Sequence, residues 1–205
     1  MPSRPSIGNT QAEGPQPGLF DTSLEIFRYL VVISPSQQVI VDVAEMKSKV
    51  AERIGPFRGD RSKAHMTLLY MYLPIEYEGY IMNAMELALK DHHRLQVHYQ
   101  GIHLLPDRST IYIDVLEKDP IIEMRRSIKQ HLQRNKSLKK LGINATSQPM
   151  LTIARKLDPV RAAEAMEVLS PHTYEKTGIV DEILLLRGRQ KEGERYEIAA
   201  RCALK

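Results

Sequence analysis

An α+β fold of two pseudo-symmetric lobes, each a mixed or antiparallel sheet with helices on its outer face around a central cleft, is predicted by three features of the sequence. The 205-residue chain is 42% hydrophobic and 26% charged, enough to bury a real core. Its apolar pattern runs strand, helix, strand, helix, strand, strand, and then helix, strand, helix, strand, strand. Two short segments, His65-Met66-Thr67-Leu68-Leu69 and Met150-Leu151-Thr152-Ile153-Ala154, open comparable strands in the two halves.

The elements follow in order. Residues 1–22 carry Pro and Gly where a secretory leader needs an apolar core, and read as a flexible tail; residues 23–205 read as one two-lobed domain. Residues 24–33 (LEIFRYLVVI) form a buried strand stopped at Ser34-Pro35. A helix opens at Pro35 or Ser36, carries Val39, Val43, Met46, Val50 and Ile54 on one stripe, and ends at Gly55-Pro56. The loop PFRGDRSKA is basic and reads as flexible. A strand over 65–73, a helix over 77–91 and strands over 95–105 and 110–116 follow, the last two joined by the turn-like Pro106-Asp107-Arg108-Ser109. The second half adds a helix over about 120–134, a strand over 150–157, a helix over about 159–169, and closing strands over 179–187 and 196–203 joined by GRQKEGE.

No apolar run approaches the roughly 20 residues that span a bilayer, and the expected location is the cytoplasm. The lone Cys202 excludes an internal disulfide and a cysteine-based zinc cluster, and reads as a small buried hydrophobe. His92 and His93 end a helix, where a cation is favourable, and His131 and His172 have no partner at ligand spacing, so no metal and no cofactor is expected. Net charge is +4, and the basic stretch 125–140 reads as a solvated helix face or as an attractor of nucleic acid.

Period-two geometry puts His65 with Thr67, and Met150 with Thr152, on one face of their strands, lining a cleft. HMTLLYM and PMLTIARKL resemble the two signature motifs of the two-histidine phosphoesterases, which include bacterial 2′-5′ RNA ligases and RNA 2′,3′-cyclic phosphodiesterases. The resemblance covers about residues 24–204. It implies a pair of His-x-Thr strands facing each other across a phosphate, one imidazole accepting a proton, the other donating one, and threonine hydroxyls holding phosphate oxygens. On this chain the implied catalytic residues are His65, Thr67 and Thr152. Met150 stands at the second histidine's position, where a thioether neither donates nor carries a proton. The implied ligand is a nucleotide or RNA with a 2′,3′-cyclic phosphate or a 2′-5′ linkage, handled by an impaired enzyme or a binding-only module, in a monomer.

Secondary candidates surround this pair. Arg58, Arg61 and Lys63 precede His65 in the basic loop and are placed to meet an entering anion. Strand parity puts Arg155 opposite Thr152 unless a bulge intervenes. By alternation His98 faces the cleft and is the one stand-in for the missing histidine, and Tyr112 faces it too, positioned to stack on a base.

Overall fold

The computed structural model describes residues 25–171, 173–189 and 195–205. The tail, His172 and most of the GRQKEGE turn lie outside the described residues. In order, the chain forms β1 (Ile26–Ile33), α1 (Gln37–Ile54), β2 (Met66–Pro74), α2 (Glu78–Leu89), β3 (Leu95–Leu104), β4 (Thr110–Val115), α3 (Lys118–Gln133), α4 (Lys136–Leu141), β5 (Asn144–Ala145), β6 (Leu151–Arg155), α5 (Pro159–Leu169), β7 (Glu175–Val180), β8 (Glu182–Arg189) and β9 (Glu197–Ala203).

The α+β class and the two sheets are as the sequence predicts, and every named strand pair is antiparallel. The sheets do not follow the halves of the sequence. One has the order β5-β2-β1-β8-β9 and the other β6-β4-β3-β7, so the last two strands return to the sheet begun by the first two. The expected single strand over 179–187 is in fact the end of β7 and most of β8, parted at Asp181 and belonging to different sheets. The acidic pair Asp181-Glu182 marks the break in the sequence, but two polar residues inside a β-rich run do not by themselves distinguish a change of sheet from an exposed stretch of one strand.

Burial alternates along β1: Phe27, Tyr29, Val31 and Ile33 enter the main core, while Leu30 and Val32 pack on the opposite face with Leu184, Tyr70, Leu186 and Tyr196. The helices cover the sheets' outer faces, with α2 and α3 packed together against β9 and β2, and α1 and α5 packed together against β6, β3 and β4. Asp158 caps α5, its carboxylate accepting from the Val160 and Arg161 amides at 3.0 Å each, with Pro159 at the first helical position. His92 and His93 lie past the end of α2, in the segment that pairs through backbone bonds with Lys205. Cys202 is free and buried.

A candidate phosphate-binding cleft between the sheets

The two matching segments share a local deviation that decides where their side chains point. In β2 the register against β1 skips Leu68: Val32 pairs with Thr67 and Val31 with Leu69. In β6 the register against β4 skips Ile153: Tyr112 pairs with Thr152 and Ile111 with Ala154. Each bulge buries two consecutive residues, Leu68 with Leu69 and Ile153 with Ala154. The residue after each pair therefore returns to the threonine's face, which puts Tyr70 beside Thr67 and Arg155 beside Thr152. Strict alternation would send Arg155 away from the cleft; the bulge brings it in.

His65, Thr67, Thr152 and Arg155 line one cavity, together with Lys47, Arg58, Gly59, Ser62, Lys63 and Ile153. Its free space is about 60 Å³, the scale of a phosphate group and far below that of a whole nucleoside. No lining residue carries a carboxylate. Met150 precedes β6, partly exposed, at the position two before Thr152. A larger hollow, about 230 Å³, lies between α1 and β7, with Asp42, Glu45, Lys49, Tyr174 and Lys176 in its walls; it holds no histidine.

The loop before His65 is anchored, contrary to its flexible reading. Phe57 and Ala64 are buried. At its start the Arg161 guanidinium of α5 donates to the carbonyls of Ile54, Gly55 and Pro56, at 3.1, 3.4 and 2.7 Å, closing the end of α1. In the middle Arg58 forms an isolated β-bridge with Arg155. Further on, the ammonium of Lys47, only 3% exposed, donates to Gly59 O and Ser62 O at 2.8 Å each and to Ser62 Oγ at 3.0 Å. The loop ends by fixing the imidazole: His65 Nδ1 donates to Lys63 O at 2.9 Å, so in the neutral ring the lone pair is on Nε2. On the other side of β2, Thr146 donates through Oγ1 to Thr67 O at 2.8 Å, pinning the strand at the threonine.

The cations of the cleft repel one another, and burial compounds this. Desolvation lowers the His65 pKa, assisted by the charges of Lys47, Arg155 and Arg28. Lys47 is pushed down to about 8, first by burial and then by Arg155, against the pull of Asp60. Arg155 is lowered by burial, Arg58 and Arg28. Burial is the first cause of each shift and the neighbouring cations add to it, and an anion placed there would stabilise the charged form of every one of these groups.

The other sequence candidates fall outside the cavity. Arg61 is exposed, and its amide donates to Asp60. His98 shares the face of β3 expected for it, but its ring is held by Glu117 at the start of α3, through Nδ1 and Oε1, while its amide donates to Glu117 Oε2 at 2.7 Å. Desolvation is the largest single effect on Glu117 and raises its pKa, but the bonds to and charge of His98, with the backbone, together outweigh it and hold the carboxyl below its usual range. Tyr112, in the row of Thr152, packs its ring on His103 at 5.6 Å between centroids. A bulge at Gly101, where φ is +71°, shifts the parity of β3 and sets His103 opposite Tyr112. Lys47, Ser62, Gly59 and Arg28 were not singled out by sequence. A lysine within the apolar span of α1 and an arginine within the apolar run of β1 were the available signals.

Among the described residues no group of three or more His, Cys, Asp or Glu side chains is placed to hold a metal, and no helix is long and apolar enough to cross a membrane. No curated protein matches the chain. Solved structures do resemble it. Apo LigT of E. coli superposes with a TM-score of 0.63 at 16% identity, over 88% of this chain and 99% of that one. The E. coli LigT complex with 3′-AMP gives 0.63 at 13% identity over the same shares. TT0787 of Thermus thermophilus gives 0.62 at 16% identity, over 86% of this chain and 97% of that one. At these identities the likeness establishes the fold. The model of the 2′-5′ RNA ligase superfamily matches residues 35–192, most of the sequence and both threonine-bearing strands, and the chain belongs to that superfamily.

Proposed function

We propose that the cleft binds the phosphate of a nucleotide or RNA bearing a 2′,3′-cyclic phosphate or a 2′-5′ linkage, with catalysis impaired by Met150. The carrying observation is the convergence of His65, Thr67 and Thr152 on one phosphate-sized cavity whose other charged walls are all cationic. LigT of E. coli has been crystallised with 3′-AMP, with ATP and with phosphate, which supports a nucleotide phosphate as the ligand.

On this reading Thr67 and Thr152 donate their hydroxyls to non-bridging oxygens, and Arg155, Arg58 and Lys63 balance their charge. Neutral His65 takes a proton from the attacking hydroxyl through Nε2. The leaving ribose oxygen receives no proton from Met150, so it leaves as alkoxide or takes one from solvent. Losing one positioned acid or base costs about 10² to 10⁴ in rate. Met150 also favours a second reading, in which the chain binds such ends and does not turn them over. Both walls of the cavity come from one chain, which supports a monomer of one two-lobed domain, and the cytoplasm supplies ligands of this kind.

The test is calorimetric titration of a 2′,3′-cyclic mononucleotide into the chain and into Thr67→Val, Thr152→Val and the double variant. The expected result is saturable binding, weakened about tenfold by each substitution. Binding unaffected by both substitutions rejects the site.

A further inference from the structure

The cavity holds a phosphate and little more, so the rest of any nucleotide must lie along the cleft outside it. The cleft face of the five-stranded sheet carries an arginine there, Arg28. Arg28 stands near the start of β1, paired across the sheet with Tyr72 of β2 on one side and Gly188 of β8 on the other. Its guanidinium carbon lies 5.8 Å from the ring centroids of both Tyr70 and Tyr72. Over Gly188, where a Cβ would meet the Tyr196 ring at 2.9 Å, that tyrosine fills the space a side chain would take.

Three aromatic rings therefore surround this position, while among the described residues no carboxylate pairs with Arg28 and its buried Nε has no hydrogen-bond partner. That is an unusual state for an arginine, whose planar fork is ordinarily satisfied when buried. The same group acts electrostatically on His65 and on Arg155, and Tyr196 acts on Arg155, which places the cluster on the same cleft. Along β2, Tyr70 lies roughly 10 Å from Thr67 at the rise of an extended strand. Cationic groups interleaved with aromatic faces are the pattern that tracks a single-stranded nucleic-acid backbone.

Resting on the reading of the cavity as the site of the reacting phosphate, we propose that Arg28, with Tyr70, Tyr72 and Tyr196 around it, is a second anion subsite that receives another phosphate of the same ligand. The preferred ligand then carries two phosphates: one between Thr67 and Thr152, the next on Arg28. A backbone phosphate of an oligonucleotide and the pyrophosphate of a nucleoside diphosphate share that chemistry.

The experiment compares dissociation constants of four probes: a 2′,3′-cyclic mononucleotide with a free 5′ hydroxyl, the same compound with a 5′ diphosphate, a dinucleotide ending in the cyclic phosphate, and inorganic phosphate. Each is titrated into the unmodified chain and into Arg28→Met, with Arg28→Lys as the partner variant should the Met variant melt early. The chain is expected to bind either the dinucleotide or the 5′-diphosphate probe at least tenfold more tightly than the plain mononucleotide, and which of the two is preferred separates backbone phosphate from pyrophosphate. Arg28→Met is expected to abolish that preference while changing mononucleotide affinity less than twofold, and to lower the salt slope of the preferred probe by about 0.7, one counterion's worth on a single strand. Arg28→Lys is expected to reduce the preference partially. No preference in the unmodified chain, or equal loss for all probes in either variant, overturns the subsite and leaves the cavity reading intact. Failure of every probe to bind the unmodified chain overturns both.

Discussion

Replacing Lys47 with methionine separates what this residue does for the fold from what it does for the cleft. Methionine keeps the length and apolar stem and removes the ammonium. In the folded chain that ammonium is desolvated and faces Arg155, and the fall of its pKa from 10.5 to about 8 corresponds to about 3 kcal/mol by which burial and that neighbouring charge disfavour its charged form. Its removal relieves that cost and breaks three hydrogen bonds. Gly59 O is still served by the Ser62 amide at 3.1 Å and by Ser62 Oγ at 2.7 Å, so Ser62 O is the carbonyl that loses most, at about 1–3 kcal/mol. The two effects nearly cancel, and global stability at pH 7 is expected to change by less than about 2 kcal/mol. Ligand binding has no such compensation. A unit charge some 7 Å from a phosphate, at an effective dielectric near 20, contributes about 2 kcal/mol. Affinity for a 2′,3′-cyclic nucleotide is therefore expected to fall by about thirtyfold. The sign of the pH dependence follows from the same shift. Because the folded pKa lies below the unfolded one, the burial penalty is fully present below pH 8 and is relieved as pH rises from about 8 towards 10.5. Over that window the unmodified chain should gain stability relative to Lys47→Met. Urea melts at pH 7, 8, 9 and 10 with parallel calorimetric titrations read both quantities. A large loss of stability with unchanged affinity would refute the assignment of Lys47 to the cleft, and a stability difference that is flat between pH 8 and 10 would refute the buried charge.

Three further outcomes follow from the geometry. Gly101→Ala forces an L residue to φ near +71° and brings a Cβ to 2.6 Å from His103 Nε2, so it should destabilise the chain by about 1–2 kcal/mol and move His103 off Tyr112; a denaturation midpoint within error of the parent would show that the bulge is dispensable. Arg161→Ala leaves three carbonyls at the end of α1 without their guanidinium and should cost about 1.5–3 kcal/mol together with faster proteolysis in the loop 56–64, and unchanged cleavage there would contradict the anchoring role. Thr146→Val removes the hydroxyl that pins β2 at Thr67 and should cost about 1 kcal/mol; hydrogen exchange at the residue 66–70 amides should rise, and exchange identical to the parent would remove Thr146 from the account.

The sequence made the class of the fold and part of the candidate cleft legible, because both rest on short-range patterns. The helical stripe on α1 and the repeated x-Thr strands can be read from spacing alone. What escaped reading depends on contacts distant in sequence or on register. Both bulges sit inside apolar pairs, Leu68-Leu69 and Ile153-Ala154, where an extra residue leaves the hydrophobic pattern unchanged, yet they bring Tyr70 and Arg155 onto the threonines' face. Gly101 does the same for His103, whereas His98, favoured by strict alternation, is held by a glutamate 19 residues away. The membership of β8 and β9 in the first sheet is a long-range pairing that no local signal encodes. Lys47 lies on the apolar stripe of α1, but only the loop that folds over it supplies the carbonyls that make the position tolerable for an ammonium. The basic loop itself looked solvated because its anchors, the carbonyls bound by Arg161 and Lys47 and two isolated apolar side chains, Phe57 and Ala64, are scattered among charges with no periodic pattern.

Under the proposed function the cleft holds one proton carrier, His65, and lacks a second at Met150. The most direct measurement is the rate of 2′,3′-cyclic nucleotide hydrolysis near pH 7 for the unmodified chain, for Met150→His and for Met150→His combined with His65→Ala. The account predicts that the restored histidine raises the rate by about two orders of magnitude or more and that loss of His65 removes the gain. A rate that Met150→His leaves unchanged, or a gain that survives His65→Ala, would contradict it.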